Sequence, residues 1–597
     1  MKKNLLTLTL LTGICLQLNA QTFPYSNSLQ TSGSYNLING STGVSVNATV
    51  NGTQTKGILL TPAERSKFNG IELNGINFNT NRGFNIDFEY FQWGGSNQAD
   101  GIALVLFDGS TTTPSMGSSG AGLGYTYSKG TNGNNNTSGF TNGYLAFGFD
   151  SFGNFHRVRR ETNEWRNGLY TVSGSNVYDG VNPQSGSSNF TELSYQGDSS
   201  NRNKASYFTI RGSANSPKWI QNTTNSDNSR GYPVLYTVNT QVSSDGTANG
   251  VTNGASLAAN NNGGHGTRKI SGFNPFNIRS GVYTEDIKNT GYRKAHLQFR
   301  KGKREYYNPD RTTINEVIES YFVDVIIETN TGRNTIAKNE QFRISAKNTA
   351  SHAIRNYYDP NSYNATTTSG FSSLNFNGKA PTTLKMAITG STGLYYQNQL
   401  VRNVNIALPY SPNAINDAYS NVCNNFPTII GHPLINDTAY NNDEYIERYE
   451  GTPTTSVVDL KEMTHTVSTP SMDHIDTSSF SFMTMNSSGK YEKVTPNQYL
   501  YTIPGVGTFQ YIYQENGINL SPQDPYIVFT PISNGAALNN TFNMYYTIKN
   551  KPKTGVNGGV LGDEEYRSAV STITITTSSS NCAKPYIITN KNVTTSL

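Results

Sequence analysis

Short runs of alternating or wholly apolar residues, each broken by clusters of Gly, Asn, Ser and Thr, fill the chain from Phe23 to about Pro409. This punctuation restricts the chain to many antiparallel strands joined by loops. Helix-rich folds need long runs of Ala, Leu, Glu and Lys at a 3.6-residue period, and beyond the first twenty residues no long amphipathic stretch of that kind occurs. Coiled coils and helical bundles are therefore excluded. Composition agrees, since 56 glycines, 37 tyrosines and 27 phenylalanines accompany only 14% charged residues, against ~25% in an average soluble protein. At ~150 residues per domain, the 597 residues suffice for a few domains.

The clearest strands are Phe84–Trp93, Gly101–Phe107, Tyr144–Asp150, Tyr207–Arg211, Tyr321–Glu328, Leu384–Thr389 and Val401–Leu408. In the first of these, Phe84, Ile86, Phe88 and Tyr90 share one face and Asn85, Asp87 and Glu89 the other, so the strand is expected to cover a core on one side only. Many such strands in one unit make a sandwich. A second, shorter set follows a change of texture near Pro409: Gln498–Ile503, Gly507–Tyr513, Met544–Lys549 and Ala569–Thr576. Their spacing suits a smaller sandwich module. Expected boundaries are 1–20 for a leader, 23–409 for the first unit, 411–577 for the second and 578–597 for a linker or tail.

The leader expectation rests on Lys2 and Lys3, an apolar stretch from Leu5 to Leu16, and the small-residue end Leu18-Asn19-Ala20, the layout of a cleavable secretory signal. Ile14 ahead of Cys15 is unsuited to lipid anchoring, and no later stretch is apolar enough to span a membrane. A secreted or surface-displayed protein is expected. Without the two lysines the formal charge falls from +5 to +3, too little for a dedicated nucleic-acid binder. Cys423 and Cys582 would remain after export, and the sequence leaves their pairing open.

Two stretches stand out. Residues Gln241–Thr267 are Gly- and Asn-rich and read as a long loop. The run Tyr292–Arg304 gathers Arg293, Lys294, Arg300, Lys301, Lys303 and Arg304. It reads either as a patch for nucleic acid or acidic glycan, or as a hairpin edge that lysines protect from edge-to-edge pairing.

Signatures of catalysis are missing. There is no GxSxG elbow, the seven histidines show no HExxH spacing, and the GAGLG of Gly120–Gly124 lacks the βαβ setting of a phosphate loop. A sandwich-fold glycosidase would place two acids at alternating positions on one strand, yet the strand ending at Asp150 carries one. What remains is a set of polar motifs at strand ends: Ala99-Asp100-Gly101, Gly117–Tyr125, Asp150–Asn154 and Gly390–Tyr396. Carboxylates, amides and Gly backbone N–H groups suit sugar hydroxyls, which both donate and accept. Asp150 and Asn154 also offer oxygens of the kind calcium prefers.

In order along the chain, these motifs resemble the legume-type (L-type) lectin family. The ADG motif falls at Ala99-Asp100-Gly101, the Gly-rich loop at Gly120–Gly124, the metal-loop strand at Gly143–Phe155 and the closing strand pair at Pro381–Pro409. GYLAFGFDSFGNF together with YFTIRGS (Tyr207–Ser213) is most similar to the lectin-like domains of bacterial surface proteins. The resemblance covers Phe23–Pro409 and implies a concanavalin A-like jelly-roll β-sandwich. It assigns sugar binding to Asp100, to a backbone N–H of Gly120 or Gly122, to Asn154, and to the specificity loop Leu394, Tyr395 and Tyr396. It implies a calcium ligated by Asp150 and Asn154. Because the family's Glu two positions before the metal Asp is Gly148 here, a second, transition-metal ion is not expected.

The second unit, with Asn416-Asp417 and Leu434–Asp437, resembles Ig/cadherin-like adhesin modules, which act as spacers. The reading is an all-β glycan-binding protein without catalytic activity, an adhesin with further surface-protein domains as potential companions. Trp93 and Tyr395 are candidates for stacking on a sugar, against a plain core role. The competing readings are a sandwich-fold glycan hydrolase or lyase, and a structural scaffold without ligand.

Overall fold

The computed structural model describes residues 23–578, apart from 81, 127–137, 154, 156–168, 173–174, 179–180, 185–205, 213–233, 242–246, 249–250, 253–274, 344–380, 453–460, 488, 533–539 and 557. The proposed leader, the loop 253–267 and Asn154 lie outside the described residues. The protein is all-β: the described elements are strands and single turns of 3-10 helix. No helix among the described residues is long and apolar enough to cross a membrane.

Two large sheets face each other across the main core. The back sheet runs, in spatial order, Gly332–Arg343, Ile314–Thr329, Lys294–Tyr307, Gly83–Ser96, Tyr396–Ala407, Ile58–Thr61 and Ser45–Val46. The front sheet runs Val234–Asn239, Tyr207–Arg211, Gly143–Asp150, Gly101–Asp108, Thr383–Ser391, Phe68–Leu73 and Tyr35–Leu37. The chain passes repeatedly from one sheet to the other, which is the jelly-roll layout. Each strand expected from the sequence overlaps a strand of one of these sheets or of the second unit, with ends that differ by a residue or two in Val401–Leu408, Gln498–Ile503, Gly507–Tyr513 and Ala569–Thr576. Phe84, Ile86, Phe88 and Tyr90 point inward with Ile102, Leu104, Leu106, Phe147, Phe149, Leu297, Phe299, Val323 and Val325, all fully buried. The outer face of the front sheet carries a separate apolar layer, Ala103, Val105, Ala146, Leu123, Tyr125, Phe140 and Phe155. Hence Gly101–Asp108 and Gly143–Asp150 are buried on both faces, as their continuous apolar sequence requires.

Past Pro409 the chain builds a smaller pair of sheets. One has five strands, in the order Asp417–Cys423, Ser571–Ser578, Thr541–Asn550, Ile475–Met485 and Tyr491–Lys493. The other has four, Thr428–Gly431, Tyr526–Pro531, Gly507–Ile512 and Leu500–Ile503. Phe480, Tyr511 and Tyr546 stack in its core, with centroids 3.9 and 5.2 Å apart. Cys423 is disulfide-bonded. A further strand of this stretch, Tyr445–Glu450, leaves the second unit and pairs in parallel with Lys294–Tyr307 of the back sheet.

That pairing corrects both readings of the basic run. Lys294–Tyr307 is an interior strand, bonded to Ile314–Thr329 on one side and to Gly83–Ser96 and then Tyr445–Glu450 on the other. Its arginines meet acids on neighbouring strands, Arg300 with Asp324 at 2.7 Å and Arg304 with Glu447 at 2.5 Å, and the His296 ring lies between Asp87 at 2.5 Å and Glu328 at 3.1 Å. Arg293, Lys294 and Arg304 are each less than a tenth exposed. Nor is the polar face of Gly83–Ser96 solvated: Glu89 is buried against Arg402 at 2.6 Å.

Candidate functional site

Strand register gathers the polar motifs. Gly101 opens its strand opposite Asp150, the last residue of one neighbour, and Ser391, the last of the other. The residues just beyond, Asp100, Ser151-Phe152 and Thr392-Gly393, therefore meet at one end of the front sheet. Backbone bonds fasten them: Asp100 N–H donates to the Ser391 carbonyl at 2.9 Å, and the N–H groups of Ser151 and Phe152 donate to the Asp100 carbonyl at 3.0 and 3.2 Å. The Ala99–Asp100 peptide is cis.

The Asp100 carboxylate faces two glycines. A Cβ on Gly393 would stand 3.4 Å from its Oδ2 and one on Gly120 3.9 Å, so both glycines pack close to the carboxylate, and Asp100 as a whole is 4% exposed. Gly120 has φ +61°, a left-handed turn that glycine enters without penalty. Its N–H donates to Ser391 Oγ at 2.6 Å, and the Gly122 N–H to the Ser119 carbonyl at 3.3 Å. Both N–H groups expected to meet a sugar are thus engaged inside the loop. Beside Asp100, Leu394 is 64% exposed, and the half-buried rings of Tyr395 and Phe152 lie 5.7 Å apart at 31°. Tyr396 begins the next strand, opposite Ser96. Trp93 sits instead in a side cluster with Leu59, Phe91, Leu400 and Tyr283, and is core.

A buried polar chain braces this end of the sandwich. Gln92 Nε2 donates to the Phe149 carbonyl, and Gln397 Nε2 donates to Gln92 Oε1 at 2.8 Å and to Ser151 Oγ at 2.5 Å. Arg279 Nε donates to Gln397 Oε1 at 2.9 Å, and its burial lowers the guanidinium pKa from its ordinary value. Gln92 and Gln397 were not singled out by sequence, and Ser151, Phe152, Ser391 and Gly393 fell inside the motifs Asp150–Asn154 and Gly390–Tyr396 without a role of their own. Their signal is only their offset from Gly101, readable once register is known.

Asp150, the expected calcium ligand, is fully buried. Its Oδ1 accepts from the N–H groups of Phe152 at 2.9 Å and Gly153 at 2.7 Å, and its Oδ2 from Phe155 N–H at 2.7 Å. It closes its own loop, as Asp does in tight turns. At Gly148, where the family has its Glu, an added Cβ would lie 2.3 Å from Cδ1 of the buried Phe155 ring. Arg211, 3% exposed, lies with its guanidinium carbon 5.3 Å from that ring's centroid and donates to the Phe155 carbonyl. Among the described residues no three His, Cys, Asp or Glu side chains converge to hold a metal ion. Calcium prefers 6–8 oxygen ligands; of the two expected here, Asp150 is engaged by N–H groups of its own loop and Asn154 lies outside the described residues. Gly148→Ala should cost about 1–3 kcal/mol, because the methyl group drives Phe155 out of a packed layer; denaturant unfolding of the variant measures it.

No family model and no curated protein matches this sequence. Among solved structures, the chain is similar to the exoplasmic/lumenal domain of VIP36 in its Ca2+/Man3GlcNAc-bound form, at 11% identity, covering 64% of this chain and 88% of that one, with a TM-score of 0.26. It is similar also to a Bauhinia forficata lectin in complex with GalNAc, at 10% identity, 65% and 97% coverage and a TM-score of 0.26. A third is lectin I-B4 from Griffonia simplicifolia in its metal-free form, at 9% identity, 66% and 95% coverage and a TM-score of 0.23.

Proposed function

We propose that this chain is a secreted or cell-surface carbohydrate-binding protein, an adhesin that holds a glycan without turning it over. The observation that carries the reading is the meeting of the Asp100 carboxylate, the two glycines packed against it, and the Phe152–Tyr395 ring pair at one end of the front sheet. A carboxylate accepts strongly from two neighbouring hydroxyls. Aromatic faces cover the apolar side of a pyranose, and the exposed Leu394 makes the adjoining loop the part that selects among sugars. A shallow site of this kind binds weakly alone, and repetition on a surface supplies avidity. The second unit, with its Ig/cadherin-like sequence pattern, presents the site.

A glycan array probed with the full chain tests the reading. Binding to a defined set of glycans is expected, and Asp100→Ala should weaken it about 10- to 100-fold, the worth of hydrogen bonds to a charged acceptor. Binding that survives Asp100→Ala unchanged moves the site elsewhere, and a blank array leaves the scaffold reading ahead.

A further inference from the structure

The loop that follows Asp150 touches the candidate site directly, through the Ser151 and Phe152 N–H groups on the Asp100 carbonyl. Whatever fixes this loop fixes Asp100. Three of the roughly four acceptor positions of a carboxylate are filled at Asp150 by N–H groups of the loop itself. The loop's far end, Phe155, is held from outside: its ring fills the space over Gly148, and Arg211 covers that ring and donates to its carbonyl. Arg211 comes from the adjacent strand Tyr207–Arg211, where it pairs in register with Ala146, so its backbone is as fixed as the sheet.

We infer that Arg211 is a positioning residue that, through Phe155, locks the Asp150–Phe155 loop and with it the Asp100 site, and that this loop is organised without a divalent cation. The inference concerns how the loop is held and stands apart from whether the site takes a glycan. Arginine is suited to the task because its planar guanidinium lies flat on the ring and donates at its rim in one pose. Lysine keeps the charge and loses the plane.

Amide hydrogen exchange on the full chain tests it. In the Arg211→Lys variant, the Phe152, Gly153 and Phe155 amides should exchange about tenfold faster or more, while the Ile102–Leu106 amides keep their wild-type rates. In the wild type, 5 mM CaCl2 and 5 mM EDTA, concentrations on the order used to saturate or strip weak sites, should give the same rates at these amides and melting temperatures within about 1 °C of each other. Calorimetric titration with CaCl2 should give no saturable heat that Asp150→Asn removes. Loop amides as slow in Arg211→Lys as in the wild type would overturn the positioning role, as would loop and core amides accelerated alike. Calcium that slows exchange at these three amides, or heat that disappears with Asp150→Asn, would overturn the cation-free loop.

Discussion

Glu447→Ala should destabilise the protein by about 3–5 kcal/mol, the cost of leaving one partner of a buried ion pair uncompensated. Arg304 and Glu447 are opposite each other where Lys294–Tyr307 pairs with Tyr445–Glu450, and their side chains are 5% and 3% exposed. Burial opposes the Arg304 charge, yet Glu447 beside it, with Tyr306 and Tyr449, raises its pKa above the ordinary arginine value. The pair is well satisfied. Arg304 Nε donates to Glu447 Oε2 at 2.8 Å, Tyr445 Oη donates to Glu447 Oε1 at 3.1 Å, and the guanidinium carbon lies 5.2 Å from the Tyr449 ring centroid. Removing the acid strands a guanidinium that water cannot reach. The double variant Arg304→Met/Glu447→Leu should keep most of the wild-type stability, since well-packed apolar replacements of buried ion pairs are often neutral. Guanidinium unfolding of the three proteins checks this, and a single variant as stable as the double would sink it.

Stability should also fall as pH rises from about 4 to about 8, by a contribution on the order of 5 kcal/mol from one carboxyl. Burial pushes Asp437 up to about 8, against the pull of the Ile415 N–H at 2.7 Å and the Tyr546 hydroxyl at 2.9 Å. Asp417, also buried and beside Asp437, is pushed well above the usual carboxylate range by burial first and by Asp437 second. Between the unfolded value of ~3.9 and about 8 the folded state holds a proton that the unfolded state has released. The stabilisation is therefore complete below about pH 4 and is lost as pH rises through about 8. At the acid end Glu328 works the other way. Burial opposes its charge, but the hydrogen bond from His296 brings it down to about 2, so its contribution is present above its unfolded value and disappears toward pH 2. Asp437→Asn isolates the first effect: its melting temperature minus that of the wild type should increase steadily from pH 4 to pH 8. A difference independent of pH would exclude a protonated Asp437.

Periodicity was enough to read the all-β class and the inward faces, because Phe84, Ile86, Phe88 and Tyr90 state their burial at every second position. It misled on the opposite face. Asn85, Asp87 and Glu89 look solvated in one dimension, yet residues far along the chain, His296 beside Asp87 and Arg402 beside Glu89, bring the matching partners. No local pattern announces such pairing. The same blindness made Arg300 and Arg304 look like part of a surface patch. At the candidate site, motif order located Asp100, Gly120 and Leu394–Tyr396, while the parts played by Phe152, Gly393 and Ser391, which lay inside the named motifs, needed the register of three strands. Gly148 was legible as a departure, but the ring and guanidinium that occupy its place come from Phe155 and Arg211, which only the fold brings there.

The parallel pairing of Tyr445–Glu450 with Lys294–Tyr307 has a mechanical side. A spacer joined by one linker bends at that linker, and tension on it is borne by a single covalent thread. Here the second unit is stitched to the back sheet by a strand lying lengthwise along its neighbour, and the connection near Pro409 is packed by Leu408, Tyr410, Tyr440, Leu561 and Tyr566. A pull along those strands loads their hydrogen bonds together, in shear, instead of peeling them one at a time. A glycan held at the far end of the front sheet would then drag on the whole molecule, and the junction would yield late.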